Sequence, residues 1–254
     1  MKKAVFLALL VSALAGVWGK DFSMSAGVGG FIGGHFTRYN LSSNGEINAH
    51  PVEVFSQQDI DQLNGGGFVF FDATWVEFNA DILFGSYTFA QTMYATSDGE
   101  IRTGSKKPDT GKGWETMLGL SLLGKYPFTL NEQFTVFPLL GVNYQIALSQ
   151  LRQIDGLKIY DRTDGINELK DTNGKPYKLS AWNAFFIVLG GGLDYHFHSP
   201  FFLRAELQYS IRLQTPWETD NLKRLRESVN APDPKLSGLS SGPTLKVAAG
   251  WRFY

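Results

Sequence analysis

Cysteine is absent from the 254 residues. That excludes disulfide staples, thiol nucleophiles, cysteine zinc sites and a lipid carried on an N-terminal cysteine. An excess of charge of one sign is also missing, since 23 Lys and Arg face 24 Asp and Glu. A basic nucleic-acid binder and a charge-extended disordered chain are therefore excluded, and no nucleic-acid partner is expected. Charged residues make up only 19%, against an ordinary share of about 25%. Beyond the N-terminus no apolar run approaches the roughly 18 residues that mark a membrane helix. The mean hydropathy of −0.12 excludes a polytopic helical membrane protein. It does not exclude a transmembrane β-barrel, because only alternate residues of a barrel strand face lipid.

What is present is glycine, 28 residues, and aromatic side chains, including 20 Phe. The chain opens with Lys2 and Lys3, then an apolar stretch over 4–11 and the small-residue triplet Ala13-Leu14-Ala15. This order predicts a secretory signal peptide over 1–19, cut after Ala15 or Gly19. The rest, 20–254, reads as a single domain.

Eight segments alternate with the period of two that marks a strand. They cover about 22–36, 68–75, 78–88, 115–124, 134–148, 181–197, 201–213 and 244–253. The seventh is the clearest. Leu203, Ala205, Leu207, Tyr209 and Ile211 alternate with Arg204, Glu206, Gln208, Ser210 and Arg212. A helix would scatter those polar residues round its circumference, whereas a strand puts them on one face. Short connections near 76–77, 127–132 and 198–200 alternate with long polar ones at 38–66, 90–113, 149–180 and 214–242. A compact soluble domain rarely carries four structureless loops of that length. An outer-membrane barrel does, with short turns at one end and long loops at the other.

Alternation alone does not say which face points inward. The polar phase combines many glycines with Asp81, Asp194, Arg204, Glu206, Arg212, Lys246 and Arg252. Small residues and pairable charges suit the narrow lumen of eight strands. Aromatic residues gather at strand ends: Trp75, Phe78, Tyr195, Phe197, Trp251 and Phe253 near the short turns, Trp114 and Trp182 near the long loops. Two such bands predict girdles at the two membrane interfaces. The expected fold is all-β, an eight-stranded antiparallel up-and-down transmembrane β-barrel with short periplasmic turns and four long extracellular loops.

Several segments carry a family resemblance. The ending Ala249-Gly250-Trp251-Arg252-Phe253-Tyr254 is similar to that of small Gram-negative outer-membrane barrels of the OmpX/OmpW type. So are Pro138-Leu139-Leu140-Gly141-Val142, Gly190-Gly191-Gly192-Leu193-Asp194-Tyr195 and Leu203-Arg204-Ala205-Glu206. The resemblance implies residence in the outer membrane among lipid and lipopolysaccharide, delivered by periplasmic chaperones and the barrel-assembly machinery. The terminal aromatic that the machinery reads falls at Phe253, in phase with the apolar residues, and Tyr254 is one residue extra.

Two lumen features are candidate sites. The seven charged residues can form ion-pair ladders, either as a static plug or as a gate that re-partners. Buried charges are most often structural pairs. An apolar set, Phe70, Leu83, Phe137, Leu139, Phe186 and Val188, falls in the inward phase. By the OmpW resemblance such a lining passes or holds a hydrophobic small molecule. A one-residue slip would turn that whole set outward. Asp194, His196 and His198 share a face but lack a further ligand, so no metal is expected. No cofactor is expected either. The nearest Ser and His, Ser199 and His196, fall at the expected periplasmic end, and no Ser-His spacing stands out beside His35 near the outer end, so an enzyme, including one that modifies lipid A, is not expected. The expected function is a narrow pore or a channel for hydrophobic small molecules. The alternative is a structural or adhesive surface protein that binds an extracellular ligand through its loops.

Overall fold

The computed structural model describes residues 23–47, 50–97, 100–169, 174–213, 223 and 235–253. The expected signal segment and most of the fourth long connection lie outside them.

The described residues form eleven strands: β1 (Met24–Ile47), β2 (His50–Ala73), β3 (Val76–Ser97), β4 (Glu100–Lys125), β5 (Phe128–Thr129), β6 (Phe134–Ile154), β7 (Leu157–Asp161), β8 (Ile166–Asn167), β9 (Ala184–His196), β10 (Phe201–Arg212) and β11 (Lys235–Phe253). Eight are long, and each pairs antiparallel with two others in the order β1-β2-β3-β4-β6-β9-β10-β11. β11 then pairs with β1 from Met24↔Phe253 upward, which joins the first and last strands. The other three are short: β5 pairs with β6 near the short turns, and β7 and β8 belong to the third long connection.

The turns are set by local chemistry. β2 and β3 are joined through Thr74 and Trp75, two residues before the expected position. Thr74 takes a positive φ of 51°, an uncommon conformation for a β-branched residue. Its hydroxyl accepts from the Ser23 amide at 2.8 Å and donates to the Ser23 carbonyl at 2.9 Å. That ties the start of the barrel to the turn. β6 and β7 are joined by Asp155 and Gly156, with φ of 48° and 82°. Two positive φ values in an Asp-Gly pair are what a two-residue hairpin turn requires.

The first two long connections differ from the expectation. Residues 38–47, 50–66, 90–97 and 100–113 are paired strand, not loop. β1 and β2 pair from Met24↔Ala73 to Ile47↔His50, and β3 and β4 from Val76↔Gly124 to Ser97↔Glu100. A strand of 24 residues tilted by about 45° rises roughly 55 Å. An apolar belt is only about 25 Å tall. Half of each of these strands therefore stands beyond the belt as β-ribbon. The third connection holds β7, β8 and a 3-10 turn, Leu179–Trp182.

Many glycines make room inside the ring. A side-chain carbon on Gly27 would meet the ring of Phe70, on Gly192 that of Phe137, and on Gly250 that of Phe202. On Gly119 it would meet the carboxylate of Asp81. The lumen holds these large side chains because the facing positions have none.

Candidate functional site

Strand alternation divides the side chains cleanly. Val28, Ile32, Leu63, Phe84, Leu140 and Leu207 point outward, each at least 60% exposed. Arg204, Glu206, Glu77 and Asn79 point inward, each at most 2% exposed. A soluble barrel would bury the first set and expose the second. The fold is that of an outer-membrane β-barrel. In this barrel the outer surface is the apolar one, as lipid requires, and the charges fill the interior.

Arg204 of β10 is the centre of the lumen's short-turn end. Its Nε and Nη2 donate to the two carboxylate oxygens of Asp194 on β9, both at 2.7 Å. Nη1 donates to Glu77 at 2.5 Å and Nη2 to Asp72 at 2.8 Å. Lys125 of β4 also pairs with Asp72. One guanidinium thus ties together carboxylates from β2, β3 and β9. Three rings enclose it, with centroids 4.6, 5.0 and 5.3 Å away in Phe70, Phe137 and Phe202. Planar guanidinium suits both partners, since it forks onto carboxylate and stacks on aromatic faces. Charge-assisted bonds of this length are the strong kind. Glu206 lies one layer further in, 3.9 Å from the Arg204 Nε, and accepts from Gln208 at 2.8 Å.

The other expected lumen charges do not join this cluster. Asp81 and Lys246 are buried in the middle of the barrel, where both line a small cavity of about 60 Å³. The Lys246 ammonium lies 4.8 Å from the Phe68 ring. Arg212 sits higher, 3.4 Å from the Thr37 hydroxyl. Arg252 sits at the rim and bonds His196 at 2.9 Å.

The apolar set divides as well. Phe70 and Phe137 cage Arg204. Leu139 packs with Leu123, Phe137, Phe186 and Val188. Leu83, Phe186 and Val188 line the cavity together with Phe31, His35 and Asn143. Inward residues absent from the sequence-based set are Phe31, Phe68, Leu123 and Phe202, and the key carboxylates Asp72 and Glu77 with Lys125. Asp72 was legible from its place in the polar phase of β2. Glu77 and Lys125 sit beside turns, where alternation had already faded.

The opposite mouth is covered by the third connection. Trp182, expected in the outer girdle, faces inward. It continues the inward phase of Ala184, Phe186 and Val188, and its ring centroid lies 4.5 Å from Tyr160 and 6.1 Å from Tyr177. These rings pack with Met117 and Ala147 of the inner wall. Position along the strand placed Trp182 near the interface, but its parity decides the face. The other expected girdle residues lie on the outer side. The Trp75 and Tyr126 rings meet at a tilt with centroids 4.8 Å apart, and Tyr195 meets Phe197 edge to face at 4.9 Å. Phe78, Trp114, Trp251 and Phe253 are all exposed.

Near the tip of this cover, Lys158 pairs with Asp161 at 2.8 Å and also with Asp164. The Lys158 hydrogen bond holds the Asp161 carboxyl below the usual carboxylate range, and Lys158 is raised above its own. No group of three or more metal-ligating acid or His side chains occurs among the described residues.

No family model matches the chain, and no curated protein matches it as a relative. Solved outer-membrane barrels overlay on it loosely. Neisserial surface protein A is 12% identical over 88% of this chain and 97% of its own, with a TM-score of 0.32. OprG from Pseudomonas aeruginosa is 10% identical over 91% and 96%, with a TM-score of 0.40. The attachment invasion locus protein Ail of Yersinia pestis is 14% identical over 90% and 98%, with a TM-score of 0.26. The fold assignment rests on the strand ring and the direction of its side chains.

Proposed function

We propose that this barrel resides in a bacterial outer membrane and acts at the cell surface, with the paired upper halves of β1 to β4 as its contact structure. The carrying observation is that the antiparallel pairing of those strands extends well beyond the lipid belt, in one register across β1–β2 and β2–β3 and with two register shifts, at Gln91/Met93 and Ala95/Thr96, across β3–β4. A ladder held over that height is a rigid support, and exposed structure on a rigid scaffold is a natural contact surface. The Arg204 cluster and the Trp182 cover fill the two ends of the lumen, which supports a structural core in place of an open pore. The reading includes no catalytic activity and no cofactor. Its partners are lipid and lipopolysaccharide, the assembly machinery and chaperones during biogenesis, and an extracellular ligand.

The test trims residues 41–57 and 91–106 to short Asn-Gly turns and compares cells expressing each form. Adherence to immobilised glycans and matrix proteins should fall for the trimmed form, while the heat-modifiable gel shift of a folded barrel persists. Unchanged adherence with a persistent shift would sink the surface reading.

A gated path for a hydrophobic small molecule is the second reading, favoured by the cavity between the two plugs. Its apolar lining is Phe31, Leu83, Phe186 and Val188. Such a path requires both plugs to move. Planar-bilayer recordings of the refolded barrel decide this point: silence supports the surface reading, and steady conductance supports the path.

A further inference from the structure

The ring of strands is closed only up to a certain height. On the side of β4 that faces β6, pairing ends at Gly111↔Ile154. One bond lies above it, from the Asp155 amide to the Thr110 carbonyl at 3.3 Å. β6 then turns back through Asp155 and Gly156 into β7. β4 extends beyond this point, from Thr110 to Glu100, with β3 on one side. Among the described residues no strand pairs with its other side. The ribbon therefore has an open edge, and residues 104–110 along it are exposed. Such an edge presents unpaired N–H and C=O groups to any extended chain, including the same strand of a second copy.

This edge is irregular, and within the ribbon the irregularity is confined to it. β1 pairs with β2, and β2 with β3, without a shift. The β3–β4 pairing shifts twice. Between Gln91↔Asp109 and Met93↔Ser105, the three residues Lys106, Lys107 and Pro108 stand opposite Thr92 alone. Between Ala95↔Thr103 and Thr96↔Ile101, Arg102 is one residue extra. The regular stretches left along the edge are 100–101, 103–105 and 109–110, none longer than three residues. A strand ordinarily spans about 5–6 residues, so an incoming chain finds no run of that length to pair with.

The bulge also withdraws hydrogen-bond donors. The Lys107 amide donates to the Ser105 hydroxyl at 3.0 Å, and Pro108 has no N–H to offer. Gly104 takes a positive φ of 80°, which bends the strand just before it. The Lys106 ammonium lies 5.6 Å from the Tyr94 ring, so its charge stands over the sheet beside the edge. Bulges, lysine and proline are the devices by which sheets blunt an exposed edge. All three meet in residues 106–108.

We propose that the 106–108 bulge insulates the open edge of β4 and keeps it from pairing with a second copy of this chain. Contacts of the ribbon are then made by its face and not by its edge.

The test uses the refolded full-length barrel in detergent. Deleting Lys106 and Lys107 together with Pro108→Thr leaves one residue opposite Thr92. The edge then runs unshifted through Thr103, Gly104, Ser105, position 108, Asp109 and Thr110, which is long enough for a strand. Light scattering after size-exclusion chromatography should give one chain per particle for the native protein and two or more for the trimmed form. Asp109→Cys supplies the only thiol in a cysteine-free chain. It should form disulfide-linked dimers in the trimmed form and none in the native background. Lys106→Ala with Lys107→Ala keeps the bulge without its charge, and this form should stay at one chain per particle. Each variant is first shown to fold by the gel shift. A folded trimmed form that stays single overturns the proposal. So does association of the double-alanine form, because charge and not the bulge would then hold copies apart. Cross-linking of the native background through Asp109→Cys overturns it as well. A second measurement needs no trimmed chain. A fluorescent peptide copying residues 89–97, the stretch of β3 that already pairs with β4, should show no more anisotropy with the native barrel than with empty micelles. Saturable binding of that peptide would overturn the insulation.

Discussion

Replacing Arg204 by Met keeps most of the side-chain volume and removes the charge. Four charge-assisted hydrogen bonds disappear, two to Asp194 and one each to Glu77 and Asp72. Lys125 still pairs with Asp72, so that carboxylate keeps a partner. Among the described residues Asp194 and Glu77 have no other cation within ion-pair distance, and Glu77 is fully buried. Breaking a buried pair by deleting one side costs about 3–5 kcal/mol, because an uncompensated charge stays behind. Two stranded carboxylates put the expected loss at the upper end, about 4–5 kcal/mol. The Met side chain retains contact with Phe70, Phe137 and Phe202, so lost packing is a minor part. The assay is denaturant unfolding of the barrel in lipid vesicles, followed by tryptophan fluorescence. Neutralising the stranded acids with Glu77→Gln and Asp194→Asn in the Arg204→Met background should recover at least half of the loss. A loss below about 1 kcal/mol would refute the reasoning, since it would mean that the cluster behaves like a solvated surface pair. A large loss with no recovery in the triple variant would refute it too, by showing that shape and not charge balance holds this end.

Trp182→Ala removes the central ring of the cover, and a Trp→Ala change at a buried site costs about 3–5 kcal/mol. Limited proteolysis should then cut within 157–169 while the barrel wall stays resistant. Gly119→Val sets a side chain against the Asp81 carboxylate, and overpacking of this kind costs about 1–3 kcal/mol. The refolding yield should fall, and Asp81→Gly in the same chain should restore it. The Lys158 link makes the cover sensitive to acid. The Asp161 carboxyl is depressed by that hydrogen bond, so its stabilisation is present above the unfolded value of about 4 and is lost as pH falls through the lower folded value. Proteolysis of the 157–165 hairpin should rise only as pH drops below about 4. Asp161→Asn should show the same susceptibility at neutral pH, and an unchanged profile in that variant would refute the link.

The parts of the barrel inside lipid were legible because lipid imposes a strong contrast. In β10, Leu203 to Ile211 must be apolar on one face, and Arg204 to Gln208 can be charged only on the other. Parity alone also places Phe186 and Val188 inward. The same parity carries Trp182 inward, but its polar neighbours in the third connection disguised the phase. The ribbons were illegible for a related reason. Above the belt the outward face is wet, so Asp59 and Asp61 occupy it, while Val52 and Val54 are buried on the other side. The apolar phase has changed faces, and in a chain read for a single apolar phase the segment looks like loop. The charge cluster was half visible. Arg204 and Asp194 stand in clean alternation, but Glu77 and Lys125 flank turns and join the cluster, Glu77 on Arg204 and Lys125 on Asp72, only after the ring brings β2, β3, β4, β9 and β10 together. The glycine count belongs to the same closure. Gly27, Gly192 and Gly250 are spaces shaped for Phe70, Phe137 and Phe202, and those rings in turn enclose the guanidinium. Residues with no side chain and the large buried guanidinium are therefore parts of one arrangement, since the cluster fits this narrow lumen only where the wall facing it is bare.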